Sequence, residues 1–353
     1  MVTSHGRRER RRGRVLLALC CLTALSLTSH AQTRDTIWVD TGDRIVGEVK
    51  SLSRGLLSYK TQATGTISVR WEHATAVRSP SRYRVERSDG YFVFGELRPD
   101  TASRVLLVTI DTVSIRIPFS EVVTLQLIED DFWDRFDAYL STGLDYTKAS
   151  GVAKLNLGMN IKQKRFRDLR TLDAQFNTTL SEEKEPSQRH EVKFENNFYL
   201  GSLWFLNTGL SYQKNTELGL ISRFGAEFSG GRYVVQSNKQ IFFGTLGLNG
   251  TQERGVDSGA STITYNIEGV VGLSYSLFEY DQPEVSLDTY ANVYRSLIGP
   301  GRTRVDFSLV LRWEIVKDLF LKNNFYTNFD SRPSSPDAAQ TDYGIVFSLE
   351  VKV

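Results

Sequence analysis

Cysteine and histidine are scarce in this chain of 353 residues, which has 2 cysteines and 4 histidines. Both cysteines, Cys20 and Cys21, lie in an apolar run near the N-terminus. The rest of the chain therefore has no disulfide framework and no thiolate site. Beyond residue 31 only His73 and His190 remain, and two isolated histidines do not make a zinc site. We expect no metal, no cofactor and no catalytic residue.

Long apolar runs are also lacking, because no stretch reaches the roughly 18 residues that a membrane helix requires. The longest run is Val15–Leu27, which follows the arginine-rich segment Arg7–Arg14 and precedes Ser29-His30-Ala31. A basic segment, a short apolar segment and small residues in this order are typical of a secretory signal peptide. We predict a signal peptide over residues 1–31, cleaved after Ala31; a buried or membrane helix is the alternative.

An excess of positive charge is absent once this segment is removed. The full chain has 43 basic and 41 acidic residues, and residues 1–31 hold six arginines and one glutamate. The remainder has 37 basic and 40 acidic residues. Nucleic-acid binding depends on clustered positive charge, so we expect no nucleic-acid partner.

Apolar and polar residues alternate with a period of two from Phe136 onward. Successive side chains of a β-strand point to opposite faces, so each run predicts a strand with one apolar and one polar face. About twelve runs of roughly ten residues follow one another, as in bacterial membrane barrels. They are Phe136–Tyr146, Ala153–Ile161, Leu172–Leu180, Val192–Leu200, Trp204–Tyr212, Leu220–Phe228, Phe242–Leu248, Ile263–Tyr275, Val285–Val293, Val305–Ile315, Leu321–Phe329 and Tyr343–Val353.

The polar faces of these runs carry charges of both signs. A soluble sandwich also alternates, with its apolar face packed on a second sheet, but it rarely sustains so many long strands. In a membrane barrel the charged face lines the lumen and the apolar face contacts lipid. We predict an all-β fold with a transmembrane antiparallel β-barrel of about 12 strands over residues 132–353. The charged positions are Lys154, Lys162, Lys193, Glu195, Arg223, Glu227, Asp288, Asp306, Arg312, Glu314, Lys322, Glu350 and Lys352.

The connections between runs fit this registration. Short turns at Gly201-Ser202 and Val316-Lys317-Asp318 alternate with longer polar connections, as expected if the short set faces the periplasm. The connection at Gly230–Lys239 is long for the short set and is the weakest point of the predicted register.

Residues 35–128 contain an internal repeat. Gly47-Glu48-Val49 is repeated as Gly95-Glu96-Leu97, and Ile67–Trp71 is repeated as Val113–Ile117. One copy alone buries little apolar area. We therefore predict that the copies, about 35–80 and 83–128, pack as one small β-rich periplasmic domain; two unrelated β-rich stretches are the alternative.

Three segments of the chain resemble one known family. Gly42–Leu52, Ile67–Trp71 and Phe329–Pro333 resemble the domain-of-unknown-function family 481, whose members are often labelled salt-induced outer-membrane proteins, and the resemblance extends over most of the mature chain. It implies an outer-membrane barrel of a Gram-negative cell envelope. It implies no defined activity and no catalytic residue.

The final strand matches the spacing of a barrel-assembly signal, in which a polar residue and a glycine precede two apolar residues. Asp342, Gly344, Phe347 and Leu349 occupy these positions. Recognition by the barrel-assembly machinery is the hypothesis, and a plain alternating edge strand is the alternative. Val353 stands where many bacterial barrels have Phe or Trp.

Few residues offer chemistry. An outer-membrane hydrolase would need His190 beside Ser181 or Ser187, but closeness in sequence does not define a triad, and we expect His190 in a solvated loop. Loop acids could bind divalent cations, but a plain solvated loop is the favoured explanation. These acids are Glu182, Glu183, Glu185, Glu253 and Asp257.

The sequence therefore predicts a non-enzymatic outer-membrane protein that contacts lipid and serves envelope integrity or the narrow passage of small solutes or ions. The alternative is a membrane-anchored module whose residues 35–128 bind peptidoglycan or an envelope protein. A barrel hydrolase is the least favoured reading.

Overall fold

The computed structural model describes residues 35–102, 104–128, 135–148, 151–165, 167–181, 186–216, 220–257, 260–298, 301–332 and 340–351. The predicted signal peptide and its cleavage site after Ala31 lie outside these residues. From Asp35 onward the described residues belong to one compact unit. They form two antiparallel sheets and two short 3-10 helices. No helix in the described part of the chain is long and apolar enough to cross a membrane.

The first sheet, called the small sheet, contains nine strands in the order β4-β3-β2-β1-β5-β6-β7-β8, with β9 paired to β2 and β5. Its strands are β1 Asp35–Val39, β2 Arg44–Ser53, β3 Leu56–Thr61, β4 Gly65–Arg70, β5 Ala74–Arg87, β6 Phe92–Pro99, β7 Val105–Ile110, β8 Val113–Pro118 and β9 Val122–Leu127. The 3-10 helices Trp71–His73 and Phe119–Glu121 precede β5 and β9.

The same element order occurs twice in the small sheet. Strands β2 to β4, the first 3-10 helix and β5 are followed by β6 to β8, the second 3-10 helix and β9. The two helices meet at the core, where the rings of Trp71 and Phe119 stack at 4.4 Å. Trp71 Nε1 donates a hydrogen bond to the Phe119 carbonyl oxygen at 2.9 Å. The two halves thus share one hydrophobic core, as expected where neither half could bury enough apolar area alone.

Asp35 lies buried inside this core. Its carboxylate accepts hydrogen bonds from the Val49 amide at 2.7 Å and the Ser79 hydroxyl at 2.6 Å. Burial raises the pKa of the Asp35 carboxyl, and these hydrogen bonds oppose the rise. A buried polar group that keeps such partners fixes the relative position of β1, β2 and β5.

The second sheet, called the large sheet, contains twelve strands, each paired with its neighbours in chain order. They are β10 Phe136–Thr147, β11 Val152–Lys164, β12 Asp168–Ser181, β13 Ser187–Gly201, β14 Trp204–Asn215, β15 Leu220–Gln236, β16 Gln240–Asp257, β17 Ala260–Glu279, β18 Val285–Ser296, β19 Thr303–Val316, β20 Leu319–Asp330 and β21 Thr341–Val351.

The predicted all-β fold and its twelve antiparallel strands are confirmed. The expected weak point at Gly230–Lys239 is resolved differently from the prediction. β15 continues to Gln236 by pairing with β16, with an irregularity between Tyr233 and Val235. The connection is therefore only residues 237–239, because a β-bulge accommodates the extra residue and lets the strand continue.

The connections define two ends of the large sheet. At one end, the turn end, strands are joined by two to five residues, and at the far end by two to ten. The chain enters the large sheet at the turn end, where β10 begins. With twelve strands, the first residue of β10 and the last residue of β21 therefore both lie at the turn end.

Candidate functional site

The two faces of the large sheet differ in polarity. Cross-strand pairs place Phe228 opposite Leu248, and Leu246 opposite Val271, on one face. These side chains are exposed, Leu246 to 69%. A contiguous exposed apolar surface of this kind is abnormal for a soluble monomer. We call this the apolar face.

The opposite face carries a network of ion pairs. Glu268, only 1% exposed, accepts hydrogen bonds from two nitrogens of the Arg304 guanidinium at 2.5 and 3.1 Å. Asn249 and Asn266 donate to the same carboxylate at 3.2 and 3.0 Å. A buried carboxylate is tolerated when an arginine and further donors satisfy it, so this polar face is organised rather than merely solvated.

The ion pairs also report the curvature of the sheet. Arg302, beside the start of β19, lies 3.8 Å from Glu253 of β16 and pairs with Asp330 of β20 at 2.5 Å. Strands are about 4.8 Å apart, so three intervals would separate the backbones of β16 and β19 by roughly 14 Å in a flat sheet. Contact across this span fits a sheet whose polar face is concave.

The two outermost strands lack a second neighbour. Among the described residues, β10 and β21 make no backbone pairing with each other. Consecutive residues on both edge strands are exposed, such as Tyr139 and Leu140 on β10 and Val346 and Phe347 on β21. Both faces of each edge strand are therefore open.

Aromatic rings fill the concave face at the turn end. Phe205, Tyr233 and Phe243 form a triangle with centroid separations of 5.1 to 5.6 Å. Phe205 lies directly over Gly231, where a Cβ atom would come within 2.2 Å of the ring. Phe278, on the same face and end, is also buried. Apolar rings thus close this end, while polar side chains occupy the middle.

The small sheet covers the same turn end. Arg54, in the β2–β3 turn, donates to both oxygens of Asp288 on the concave face at 2.8 and 3.2 Å. Its guanidinium lies 5.7 Å from the centre of the Phe278 ring. Next to it, a Cβ on Gly55 would come within 2.6 Å of the Asn238 carbonyl oxygen. The β2–β3 turn therefore enters the mouth of the concave face.

Buried polar contacts fix a second part of this interface. Gln236 donates to Glu86 of β5 at 2.7 Å, and Thr124 of β9 donates to the other oxygen at 2.9 Å. Asn238 donates to the Val122 carbonyl oxygen at 2.7 Å. Losing either partner would leave a buried group unsatisfied, which is costly.

An arginine and two rings form a third part of the interface. The Arg84 guanidinium lies 4.9 Å from the Phe92 ring and 5.6 Å from the Tyr199 ring of β13. Burial lowers the pKa of Arg84, and the Glu86 carboxylate opposes this shift. Together the three parts contact residues in or next to the β13–β14, β15–β16 and β17–β18 turns.

Glu72, His73 and Asp281 bring their ligand atoms within 4.8 Å of one another, close enough to hold a metal ion. Each already faces a charged group, because Asp40 contacts His73 (2.7 Å), Arg70 contacts Asp281 (3.2 Å) and Lys239 lies 3.9 Å from Glu72. The two cations make ion pairs the simpler explanation. The Arg70–Asp281 and Lys239–Glu72 pairs also link the two sheets.

The residues considered for chemistry are placed differently from the sequence expectation. His190 lies within β13, not in a loop, and its ring makes an edge contact with Phe176 at 5.3 Å. Glu253 lies within β16 and pairs with Arg223 at 3.0 Å. Both residues lie in strands rather than in loops because β13 and β16 extend beyond their predicted ends. Glu182, Glu183 and Glu185 lie outside the described residues.

The proposed assembly-signal positions all fall on β21. Asp342 pairs with Asn328 in the backbone register, and Gly344 pairs with Tyr326. Phe347 and Leu349 are exposed. This arrangement is compatible with either an assembly signal or a plain edge strand, so the signal stays a prediction.

The interface residues Arg54, Glu86 and Gln236 were missed in the sequence. They belong to no motif, and each is an ordinary polar residue near a turn. The only available signal was the glycine that follows Arg54, since glycine favours turns and close backbone approach.

No family model matches the chain, and no curated protein matches it. Among solved structures, the chain is similar to the NanC porin in a rhombohedral crystal form. The two are 11% identical, the match covers 62% of this chain and 98% of the porin, and the TM-score is 0.34. A likeness at this level establishes neither a shared fold nor a function. The described residues themselves define the class, which is an all-β protein with a twelve-stranded antiparallel sheet.

Proposed function

We propose that this chain is a non-enzymatic outer-membrane β-barrel protein with a narrow solute path, whose periplasmic mouth is covered by its N-terminal sheet. The observation that carries the proposal is the polarity of the large sheet, apolar on its exposed convex face and ion-paired on its concave face. A soluble fold would reverse this arrangement, whereas lipid satisfies the apolar face and water the other.

The barrel closes, in this proposal, through pairing of β10 with β21. The concave polar face and the even number of strands support closure, because even-numbered antiparallel barrels can join their first and last strands. Lipid does not tolerate unpaired strand edges. Three double variants test this, each with cysteine at Ser141 and a second cysteine at Gly344, Val346 or Ser348. One of the three should form a disulfide in high yield. The control, with cysteines at Ser141 and Ser211, should form none.

The turn end faces the periplasm in this proposal. Its short connections are typical of periplasmic turns, and a predicted secretory signal would deliver the N-terminal sheet to that side. The resemblance to domain-of-unknown-function family 481 supports the outer-membrane location. Assembly would use the envelope's barrel-assembly machinery, acting on β21.

Conductance in planar bilayers tests the function. We expect small or rare current steps from residues 32–353, and larger or more frequent steps from residues 132–353, because the truncated form lacks the cover. Steps of equal size and frequency from both would contradict the covering role. Silence from both, with protease-protected insertion demonstrated, would contradict a solute path and favour an envelope-integrity role.

A second candidate function is favoured by the free edge of β8. This strand pairs with β7 alone among the described strands, and Val113 and Ile115 are 64% and 43% exposed. An open edge with apolar side chains can accept a strand of another protein. Co-sedimentation with peptidoglycan, or strand pairing with an envelope protein that Ile115→Pro removes, would support an interaction module.

A further inference from the structure

One region of the concave face has mainly amide and hydroxyl side chains, and its one charged lining residue in the described part of the chain, Asp173, accepts a hydrogen bond from Asn160 at 2.9 Å. This region is formed where β10, β11 and β12 run side by side, and we call it the amide patch. Its members are Tyr139, Ser141, Asn156, Gly158, Gln175 and Asn177. Elsewhere this face is dominated by ion pairs such as Lys193–Glu195, Arg223–Glu253 and Arg304–Glu268.

The strand register sets the members of the patch side by side. Gly158 of β11 pairs with Ser141 of β10 on one side and with Gln175 of β12 on the other. One step along, Asn156 pairs with Asn177. Directly paired residues on one face have Cβ atoms about 5 Å apart. Four hydrogen-bonding side chains therefore surround one glycine.

Gly158 gives the Ser141 side chain room over the sheet. A Cβ atom at position 158 would lie 2.5 Å from the Ser141 hydroxyl oxygen, so a larger residue would displace that hydroxyl. The cavity lined by the patch, by Asp173 and by intervening residues of β10, β11 and β12 has a volume of about 500 Å³. This volume is in the range of small-molecule sites, roughly 300–1,000 Å³.

The polar groups of the patch are available to a ligand. Within the described ranges, the side chains of Ser141, Asn156, Gln175 and Asn177 make no hydrogen bond to the protein. The neighbouring Asn160 is already committed, since it donates to Asp173 at 2.9 Å. Each amide offers donors and acceptors together, which suits a hydroxyl group that also donates and accepts.

Charge at the ends of the patch is balanced. Lys154 and Lys162 flank it on β11, and the backbone register sets Asp145 and Asp137 directly opposite them on β10. The patch therefore has no excess of positive charge that would select anions. At the rim, Tyr139 is 67% exposed and offers an amphipathic ring on which the apolar face of a ligand can pack.

We propose that the amide patch binds a neutral polyhydroxylated solute of about disaccharide size. This inference deepens the proposed function, because it names the solute class for the path through the barrel. Ser141, Asn156, Gln175 and Asn177 exchange hydrogen bonds with hydroxyl groups, Tyr139 packs against the pyranose face, and Gly158 provides the room.

Equilibrium dialysis of the detergent-solubilised mature chain, with lactose as the probe, tests the proposal. Lactobionate, the singly charged acid of similar size made from lactose, is the comparison ligand. We expect saturable lactose binding at one site per chain, with lactobionate at least about tenfold weaker. Equal or tighter binding of lactobionate would overturn the neutral-solute assignment.

Gly158→Val should weaken lactose binding at least about tenfold, because the valine displaces the Ser141 hydroxyl and takes up space in the cavity. Gly209→Val is the matched control, since Gly209 lies on the same concave face in β14, away from the patch, and its Cβ would meet nothing closer than 3.6 Å. Gln175→Leu, which keeps the size of the side chain and removes its amide, is the second variant. Unchanged lactose binding in Gly158→Val and Gln175→Leu would overturn the proposal.

The outcome is separable from that of the proposed function. Conductance without lactose binding would refute the amide patch and leave the solute path intact. Lactose binding without conductance would support the patch and refute the path.

Discussion

Arg54 shows how a single side chain joins the two sheets. Its backbone adopts a positive φ of 53° in the β2–β3 turn, and this turn directs the guanidinium to Asp288 on the concave face. Both partners are partly solvated, so the pair contributes less than a buried one would. Because this modest contact lies at the mouth of the concave face, it forms part of the cover in the proposed function.

Arg54→Ala should increase the open fraction of the full chain about two- to fivefold, the shift expected from losing an ion pair of about 0.5–1 kcal/mol. Single-channel recording measures this fraction. Arg98→Ala is the control, because Arg98 pairs with Glu96 on its own strand at 3.1 Å. An open fraction that responds equally to both variants would argue against a mouth contact.

Asp35 should make the small sheet more stable at acidic than at neutral pH. Burial raises its pKa in the folded protein, so folding favours the protonated form. The stabilisation is complete below the unfolded pKa of about 3.9 and is lost as the pH rises through the raised folded value. Urea midpoints at pH 4 and pH 7, followed by tryptophan fluorescence, measure the difference.

Asp35→Asn should reduce this pH difference, since the asparagine does not titrate. Asp43→Asn is the control, because Asp43 is exposed and its carboxylate accepts a hydrogen bond from Thr41 at 2.8 Å. If Asp35→Asn keeps the full pH difference, another group is responsible for it.

At the scale of the strand, one-residue alternation decides which side chains lie on the apolar face, the face that contacts lipid in the proposed barrel. Leu246 lies on the apolar face of β16, and its neighbour Thr245 lies on the concave face, beside Gly272. Leu246→Arg should destabilise the protein in lipid vesicles by about 2–4 kcal/mol if it lies near the bilayer midplane. Thr245→Arg adds the same charge to the polar face and should cost much less.

The measurement for this pair is urea unfolding in vesicles of matched composition. A similar loss of stability in both variants would mean that the apolar face does not contact lipid. A loss only in Thr245→Arg would mean that the assignment of the two faces is reversed.

At the scale of the whole molecule, the contact between the small sheet and three turns of the large sheet is the main structural feature. Gln236 and Glu86 meet across it in a buried hydrogen bond of 2.7 Å. Cysteines at these two positions, joined by a short bis-maleimide, should abolish current steps, because the cover then stays in place. The unreacted double variant is the control, and steps that persist after complete cross-linking would mean that solutes bypass the cover.

Much of the fold follows from local pattern. The two-residue alternation predicts each of the twelve strands and its apolar face, because successive side chains of a strand point to opposite sides. Strand ends were less well predicted at Gln236 and Asp257. Pairing with a neighbouring strand extends both β15 and β16 beyond the region where their own alternation is regular.

The sequence alone carries the strand count, the alternating faces and the repeat in residues 35–128, since these depend on neighbours along the chain. Only the tertiary structure brings Arg54 to Asp288, Glu86 to Gln236 and Arg302 to Glu253. It also gathers the amide patch from three strands. Such contacts depend on the register between distant strands and on the curvature of the sheet, and no local pattern encodes either one.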